Sequence, residues 1–259
     1  MFTHIQQQLL QLEETQQIKI LYAVESGSRA WGFASQNSDW DVRFIYVHPP
    51  EWYLGIDKKP DNIELMLPND LDLSGWELQK TLRLFRKSNP PLLEWLRSPI
   101  VYQQAGNFLH KMTDAANRFF NPTSCLYHYY HMARRNWEAY FKTDEVRLKK
   151  YLYVLRPIFA CMWIERTESM APMEFDTLLQ QEVINEPLRQ AINDLLDKKK
   201  SGTEMDKGTR IEVIDLFLIN KMSYYDVFLK TAEPGSVPGW EELNSIFIKL
   251  LNESWSKNQ

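Results

Sequence analysis

The apolar positions of this chain change rhythm near residue 105. Before that point, short β-rich runs alternate with turns and helical patches. Ile18-Lys19-Ile20-Leu21-Tyr22-Ala23-Val24-Glu25 reads as a buried strand. A turn at Gly27 follows, then a short helical segment from Arg29 to Phe33. Asp41-Val42-Arg43-Phe44-Ile45-Tyr46-Val47 reads as a second strand, ended by Pro49-Pro50. Ile63 to Leu67 and Leu71 to Ser74 flank Pro68-Asn69 and predict further strands or a hairpin. Trp76 to Lys87 has helical spacing, with Leu78, Leu82 and Phe85 on one side, and Ser88-Asn89-Pro90-Pro91 stops it. Leu92 to Leu96 predicts another short helix and Ile100-Val101-Tyr102 a closing strand.

From Ala105 onward no run reads as strand. Helical patterns cover 105–119, 124–141, 144–165, 184–199, 210–230 and 238–256. Thr143-Asp144-Glu145 is the expected N-terminal cap of the third. Tyr151 to Ile164 is the longest strongly apolar stretch. Arg156-Pro157 interrupts it, and it is too short to span a bilayer, so it predicts a buried, kinked helix. The Lys198-Lys199-Lys200-Ser201-Gly202 run reads as a solvated helix end. The expected architecture is α+β: a sheet-containing domain over 1–104, then an all-helical domain over 105–259.

Composition narrows the class. The chain has 259 residues, 44% hydrophobic and 25% charged, which is the balance of a globular protein with a sizeable core. Nine Trp contribute to a high aromatic content, read as core filling. A net charge of −4 excludes a protein that coats nucleic acid by bulk electrostatics, but not one with a local basic groove. Two cysteines, Cys125 and Cys161, and an N-terminus without a basic, then apolar, leader predict a reducing cytoplasmic setting and no membrane partner.

The chemistry concentrates between Gly27 and Asp72. Gly27-Ser28-Arg29 places a turn at the start of a short helix, where free backbone N–H groups suit a phosphate. Asp39 and Asp41 are two apart, so on a strand both carboxylates point to one face. Hard oxygen ligands beside a phosphate cradle point to Mg²⁺ and a nucleoside triphosphate. Two-metal nucleotidyl transfer needs a third carboxylate on an adjacent strand, and Leu71-Asp72-Leu73 has that form. Asp70 is the nearest rival but reads as a turn residue, and Asp61 and Glu64 are weaker candidates. Arg43 shares the parity of the aspartates, either to contact the triphosphate or acceptor or to orient the carboxylates.

Together, Gly27-Ser28, Asp39-x-Asp41 and the later apolar-Asp72-apolar unit resemble the active-site signature of the DNA polymerase beta nucleotidyltransferase superfamily. Longer strings are similar to one branch of it, the RNA-ligase-associated (RlaP-type) nucleotidyltransferases. These are Gly27-Ser28-Arg29-Ala30-Trp31-Gly32-Phe33, Ser38-Asp39-Trp40-Asp41-Val42-Arg43, Ser74-Gly75-Trp76, and Lys87-Ser88-Asn89-Pro90 through Glu94-Trp95-Leu96. Met132-Ala133-Arg134, Asn136-Trp137 and the run from Arg147 to Pro157 belong with them. The similarity extends to about residue 195. It implies a mixed-sheet nucleotidyltransferase domain, use of an NTP with two Mg²⁺ ions (Mn²⁺ as a substitute), and an RNA 3′ end as acceptor. A protein side chain is the alternative acceptor, with attachment of AMP to a partner. A nucleotide- or RNA-binding module without turnover is the alternative outside the enzymes.

A triphosphate also needs cations from across the cleft. Gly27, Ser28, Arg29 and Arg43 lie on the motif side. Lys149, Lys150 and Arg156, with Tyr153 near them at helical spacing, are the candidates on the helical side. Arg134 also stands out there, while Arg83 and Arg86 read as solvated and Lys87 is left open. Cys125-x-x-His128-x-x-His131 has no evident fourth ligand and reads as a helix face rather than a zinc site. Tyr127, Tyr129 and Tyr130 read as core and rim. Asp39, Asp41 and Asp72 are therefore the expected metal ligands and catalytic residues.

Overall fold

The computed structural model describes residues 1–182, 184–203, 205, 207–233 and 235–256. A helix not foreseen above, α1 (Phe2–Gln16), precedes the sheet. Its sequence is mostly polar, and only Ile5, Leu9 and Leu12 are buried, so its apolar stripe is one residue wide per turn. The sheet comprises β1 (Lys19–Glu25), β2 (Trp40–Val47), β3 (Asn62–Leu67), β4 (Leu71–Glu77) and β5 (Val101–Gln104), in the order β3-β4-β2-β1-β5. It is mixed: β2 and β4 run parallel, and the other neighbours are antiparallel. The short helices α2 (Gly27–Ala30), α3 (Pro50–Tyr53), α4 (Leu78–Arg86) and α5 (Pro90–Trp95) lie between the strands.

Side-chain alternation along β2 decides where the chemistry goes. Val42, Phe44 and Tyr46 join α1, Leu71 and Leu73 in a small core on one face. Ile45 and Val47 point the other way, into a much larger core. Asp41 and Arg43 share that second parity. The strand is thus covered on both faces, and its polar residues open toward the helical half of the molecule.

That half contains α6 (Phe108–Phe119), α7 (Pro122–Tyr140), α8 (Lys149–Thr167), α9 (Phe175–Gln181), α10 (Glu186–Lys200), α11 (Glu212–Thr231) and α12 (Glu241–Trp255). The central helix is α8. It is apolar nearly all round and accordingly buried, with Leu152, Leu155, Phe159 and Ile164 fully enclosed. The larger core runs without a break from Tyr22 and Ile45 on the sheet to Leu250 on α12.

Three local expectations are corrected. The helix expected from Trp76 begins at Leu78, because Trp76 and Glu77 continue β4 beside Ile45 and Tyr46. Glu77 then caps α4, its carboxylate accepting from the N–H groups of Gln79 at 2.7 Å and Lys80 at 3.2 Å. The helix expected from 144 begins at Lys149, and Thr143 is not its cap. Glu145–Val146 (β6) instead pairs with Gly208–Thr209 (β7), so the region after 105 does contain strand. A two-residue ladder between distant segments has too few positions to show a period. Helix α9 also went unforeseen.

Gly75 on β4 lies opposite Phe44 on β2. An added Cβ there would meet the Phe44 ring at 2.1 Å. Gly75→Ala is expected to lower unfolding stability by about 1–3 kcal/mol through overpacking, measurable by urea titration against the parent.

Candidate active site

Parallel pairing of β2 and β4 puts Asp41 directly beside Asp72. Both face the helical half, and one guanidinium nitrogen serves both: Arg43 Nη2 donates to Asp41 Oδ1 at 2.8 Å and to Asp72 Oδ2 at 2.9 Å. Burial pushes the Asp41 carboxyl above its ordinary pKa. Arg43 pulls it down, while Asp72 and Asp39 push it further up. The pair is therefore a repulsive couple held by a single cation.

Gly27 explains how Asp41 fits. Its φ is +59°, in the left-handed region, and a Cβ there would sit 2.1 Å from Asp41 Oδ2. The carboxylate occupies the space a side chain would take. Behind it, the buried Glu25 Oε1 accepts from the Asp41 N–H at 2.9 Å, and Tyr102 Oη donates to the other Glu25 oxygen. Burial raises the Glu25 pKa against these two hydrogen bonds. The Ser26 N–H donates to the Asp41 carbonyl at 2.8 Å. Asp41 is thus fixed through its backbone on both sides, by residues no motif singled out.

Asp39 lies just before β2 and is exposed. Arg29 holds the backbone here, donating to the carbonyls of Ser38 at 2.6 Å and Asp39 at 3.1 Å while lying 3.7 Å above the Trp40 ring. Asp39 is close enough to act on Asp41 electrostatically. Among the described residues, no three His, Cys, Asp or Glu side chains converge as a ready metal cage. The donor chemistry nevertheless suits a hard divalent cation: two carboxylates side by side, mutually repulsive, with Asp39 near. Ser28 sits in the single turn of α2 and is mostly buried.

The rival carboxylates go elsewhere. Asp70, at φ +54°, lies in the β3–β4 turn, Asp61 pairs with Lys80 at 2.9 Å, and Glu64 accepts from Asn62. From the helical half, Tyr153 on α8 approaches the site. Burial first, then Asp41 and Asp39, raise its pKa. Lys150 lies 4.8 Å from the Tyr153 ring and 4.2 Å from that of Tyr140. Lys149 begins α8 beside it.

Arg156 is a correction. It is 3% exposed and pairs with buried Glu94 at 2.7 Å, an oxygen that also accepts from Tyr129 Oη at 2.5 Å. Its guanidinium also lies 4.6 Å from the Trp31 ring. It holds α8 against α5 and α2 and does not line a cleft. Arg134 pairs with Glu138 and Asp226, and Arg86 donates to the Pro238 carbonyl. Cys125 is buried with its thiol toward the Ser88 carbonyl, away from any metal set.

A second correction concerns Lys199. Read from sequence as part of a solvated run, it is half-buried and donates to Ser38 Oγ at 3.2 Å. Lys200 pairs with Asp176, and Lys198 is exposed. Helical spacing could not distinguish these neighbours, since what selects Lys199 is the loop that α10 meets.

The sequence profile described as RNA repair pathway DNA polymerase beta family matches residues 1–249. The chain belongs to that family. The match runs well beyond the 195 residues over which the motifs were legible. This member of the RNA repair pathway DNA polymerase beta family is 46% identical over 249 residues to the uncharacterized protein YcgL of Bacillus subtilis (strain 168), covering 96% of this chain and 95% of that one. It is also similar to the crystal structure of a nucleotidyltransferase-like protein from Exiguobacterium sibiricum 255-15, at 11% identity and a TM-score of 0.34 over 95% of this chain and 88% of that one. A likeness at that level is too slight to argue from. Membership makes the chain a polymerase-beta-type nucleotidyltransferase. No helix among the described residues is long and apolar enough to cross a membrane.

Two outcomes follow from the geometry. Gly27→Ala is expected to lower unfolding stability by about 1–3 kcal/mol in urea titration, because the new Cβ displaces the Asp41 carboxylate. Arg156→Ala is expected to destabilise by about 3–5 kcal/mol in chemical denaturation, because it leaves Glu94 buried without its cation.

Proposed function

We propose that the protein transfers an NMP from an NTP to an acceptor hydroxyl and releases pyrophosphate. The observation that carries this reading is the Asp41–Asp72 register pair, opened toward the helical half with Gly27 against one carboxylate. Family membership supports the reaction class. The family description names an RNA repair pathway, which favours RNA over protein as the acceptor.

Asp41 and Asp72, with Asp39 beside them, would hold Mg²⁺, which supplies charge neutralisation on the triphosphate and activation of the acceptor hydroxyl. Arg43 is their counter-charge, bonded to one oxygen of each. Asp72 receives the proton of the attacking hydroxyl at the oxygen not bonded to Arg43. The acceptor oxygen then bonds to the α-phosphorus as the bond to the bridging oxygen breaks, and pyrophosphate carries that electron pair away. Residues 1–104 supply the carboxylates. Residues 105–259 supply Lys149, Lys150 and Tyr153 as the opposing wall. The free, buried Cys125 and Cys161 are consistent with a reducing cytoplasm.

The test is incubation of the chain with each labelled NTP, Mg²⁺ or Mn²⁺, and either cellular RNA or lysate protein. Label is expected in RNA. Label in protein alone would assign a protein acceptor, and label in neither would overturn turnover. Asp41→Asn is expected to cut incorporation at least about a hundredfold while remaining folded, because the Arg43–Asp72 pair survives. Full incorporation by that variant removes the role of Asp41.

A further inference from the structure

Ser124, Tyr127, His128, His131 and Arg135 recur at three- and four-residue spacing along α7 and line one open cavity. Leu229 and Ala232, at the end of α11, form its apolar side. Its volume is about 640 Å³, in the range of sites that hold small molecules. Tyr140, the α7 residue whose ring meets Lys150, lies about 18 Å further along the helix axis than His128. The cavity and the carboxylates are therefore separate places.

The polar groups here are not engaged by the protein. Among the described residues, the hydroxyls of Ser124 and Tyr127 and the imidazoles of His128 and His131 bond to no other residue. Arg135 Nε donates to the His131 carbonyl at 3.2 Å, which folds the guanidinium back along α7 toward the cavity. Its terminal nitrogens meet no carboxylate among the described residues, whereas its neighbour Arg134 pairs with Glu138 and Asp226. No Asp or Glu among the described residues lines the cavity. The acids that act on the imidazoles are held elsewhere. Glu94, facing His128, pairs with Arg156, and Asp226, facing His131, pairs with Lys230 at 2.7 Å. Burial first, then Arg135, lowers the His128 pKa, and burial, then Arg134 and Arg135, lowers that of His131. Each neutral ring offers one donor and one acceptor. Tyr127 is 56% exposed, with its ring 4.1 Å from that of His131, so one wall is a bare aromatic surface.

We propose that this cavity is a nucleotide-binding site separate from the carboxylates, taking the phosphate of a nucleotide unit on Arg135 and the imidazoles and its base against Tyr127. A planar guanidinium with its terminal nitrogens open matches two phosphate oxygens at once. The imidazoles and Ser124 Oγ add neutral donors. An aromatic face accepts any base, since every base has a π-face. With no carboxylate in its wall, the site receives an anion without a divalent cation. The unit arrives as a free nucleotide or as one residue of an RNA strand, and the recognising chemistry is the same. The inference does not rest on the nucleotidyl-transfer reading.

Titration calorimetry on the full chain in EDTA, with AMP, adenosine, inorganic phosphate and a short single-stranded RNA, tests this. The parent is expected to bind AMP more tightly than adenosine or phosphate. Arg135→Gln is expected to weaken AMP about tenfold or more. Tyr127→Ala is expected to weaken AMP about fivefold or more while leaving phosphate within about twofold. Lys142→Gln, an exposed cation outside the cavity, is expected to match the parent. Thermal unfolding shows that each variant is folded. RNA bound more tightly than AMP, and lost in Arg135→Gln, assigns the site to a strand. AMP bound without RNA assigns it to a free nucleotide, and both results uphold the site. A parent that binds neither overturns the proposal. Parent-like affinity in folded Arg135→Gln overturns it as well, because the nucleotide then sits elsewhere. Loss in Arg135→Gln with Tyr127→Ala unchanged leaves a phosphate site without a base wall and overturns the nucleotide assignment.

Discussion

Two carboxylates on adjacent parallel strands cannot both be charged, partly buried and unneutralised. Asp41 and Asp72 are placed side by side by the β2–β4 register, and Arg43 bridges them through one nitrogen. Much of the nearby structure follows from holding that arrangement. Gly27 lacks a side chain where the Asp41 carboxylate lies, and Glu25 takes the Asp41 N–H from the buried side. Each contact restricts Asp41 to one position. A cation-shaped deficit is thereby built into the sheet and filled by a side chain on the same strand.

The sheet can expose these groups on one face only because its other face is sealed. Helix α1 covers Val42, Phe44, Leu71 and Leu73, which leaves the alternate positions to the helical half. That half is not a loose appendage. One continuous core joins it to the sheet, and the buried Arg156–Glu94 pair is sited where α8, α5 and α2 meet. A buried ion pair contributes little net stability, but losing one partner is costly, which suits a role in fixing how the two halves meet. The approach of Tyr153, Lys150 and Lys199 to the motif depends on that fixed relation.

The α+β class, the β2 strand, the Gly27 turn and most helices of the second half were legible in the sequence. Each is encoded by local period or by a turn residue, and both operate within a few positions. Asp41 and Arg43 could be placed on one face by parity alone, whereas Asp72 joins them through the β2–β4 register. The family strings around Gly27 and Asp39 pointed to the reaction class for the same reason: the chemistry needs those residue types at short, regular spacing.

Only the tertiary structure separated Arg156 from Lys199. Both are cations at helical positions, and the sequence marked the first as a clamp and the second as solvated. Arg156 is enclosed because Glu94, Tyr129 and Trp31 come to it from three other elements. Lys199 is brought to Ser38 because α10 ends against a loop far away in the chain. The β6–β7 ladder and the role of Glu25 are of the same kind. Local sequence determines what an element is and which way its residues alternate, whereas the fate of a charge depends on which distant groups share its surroundings, and that is decided only when the chain packs.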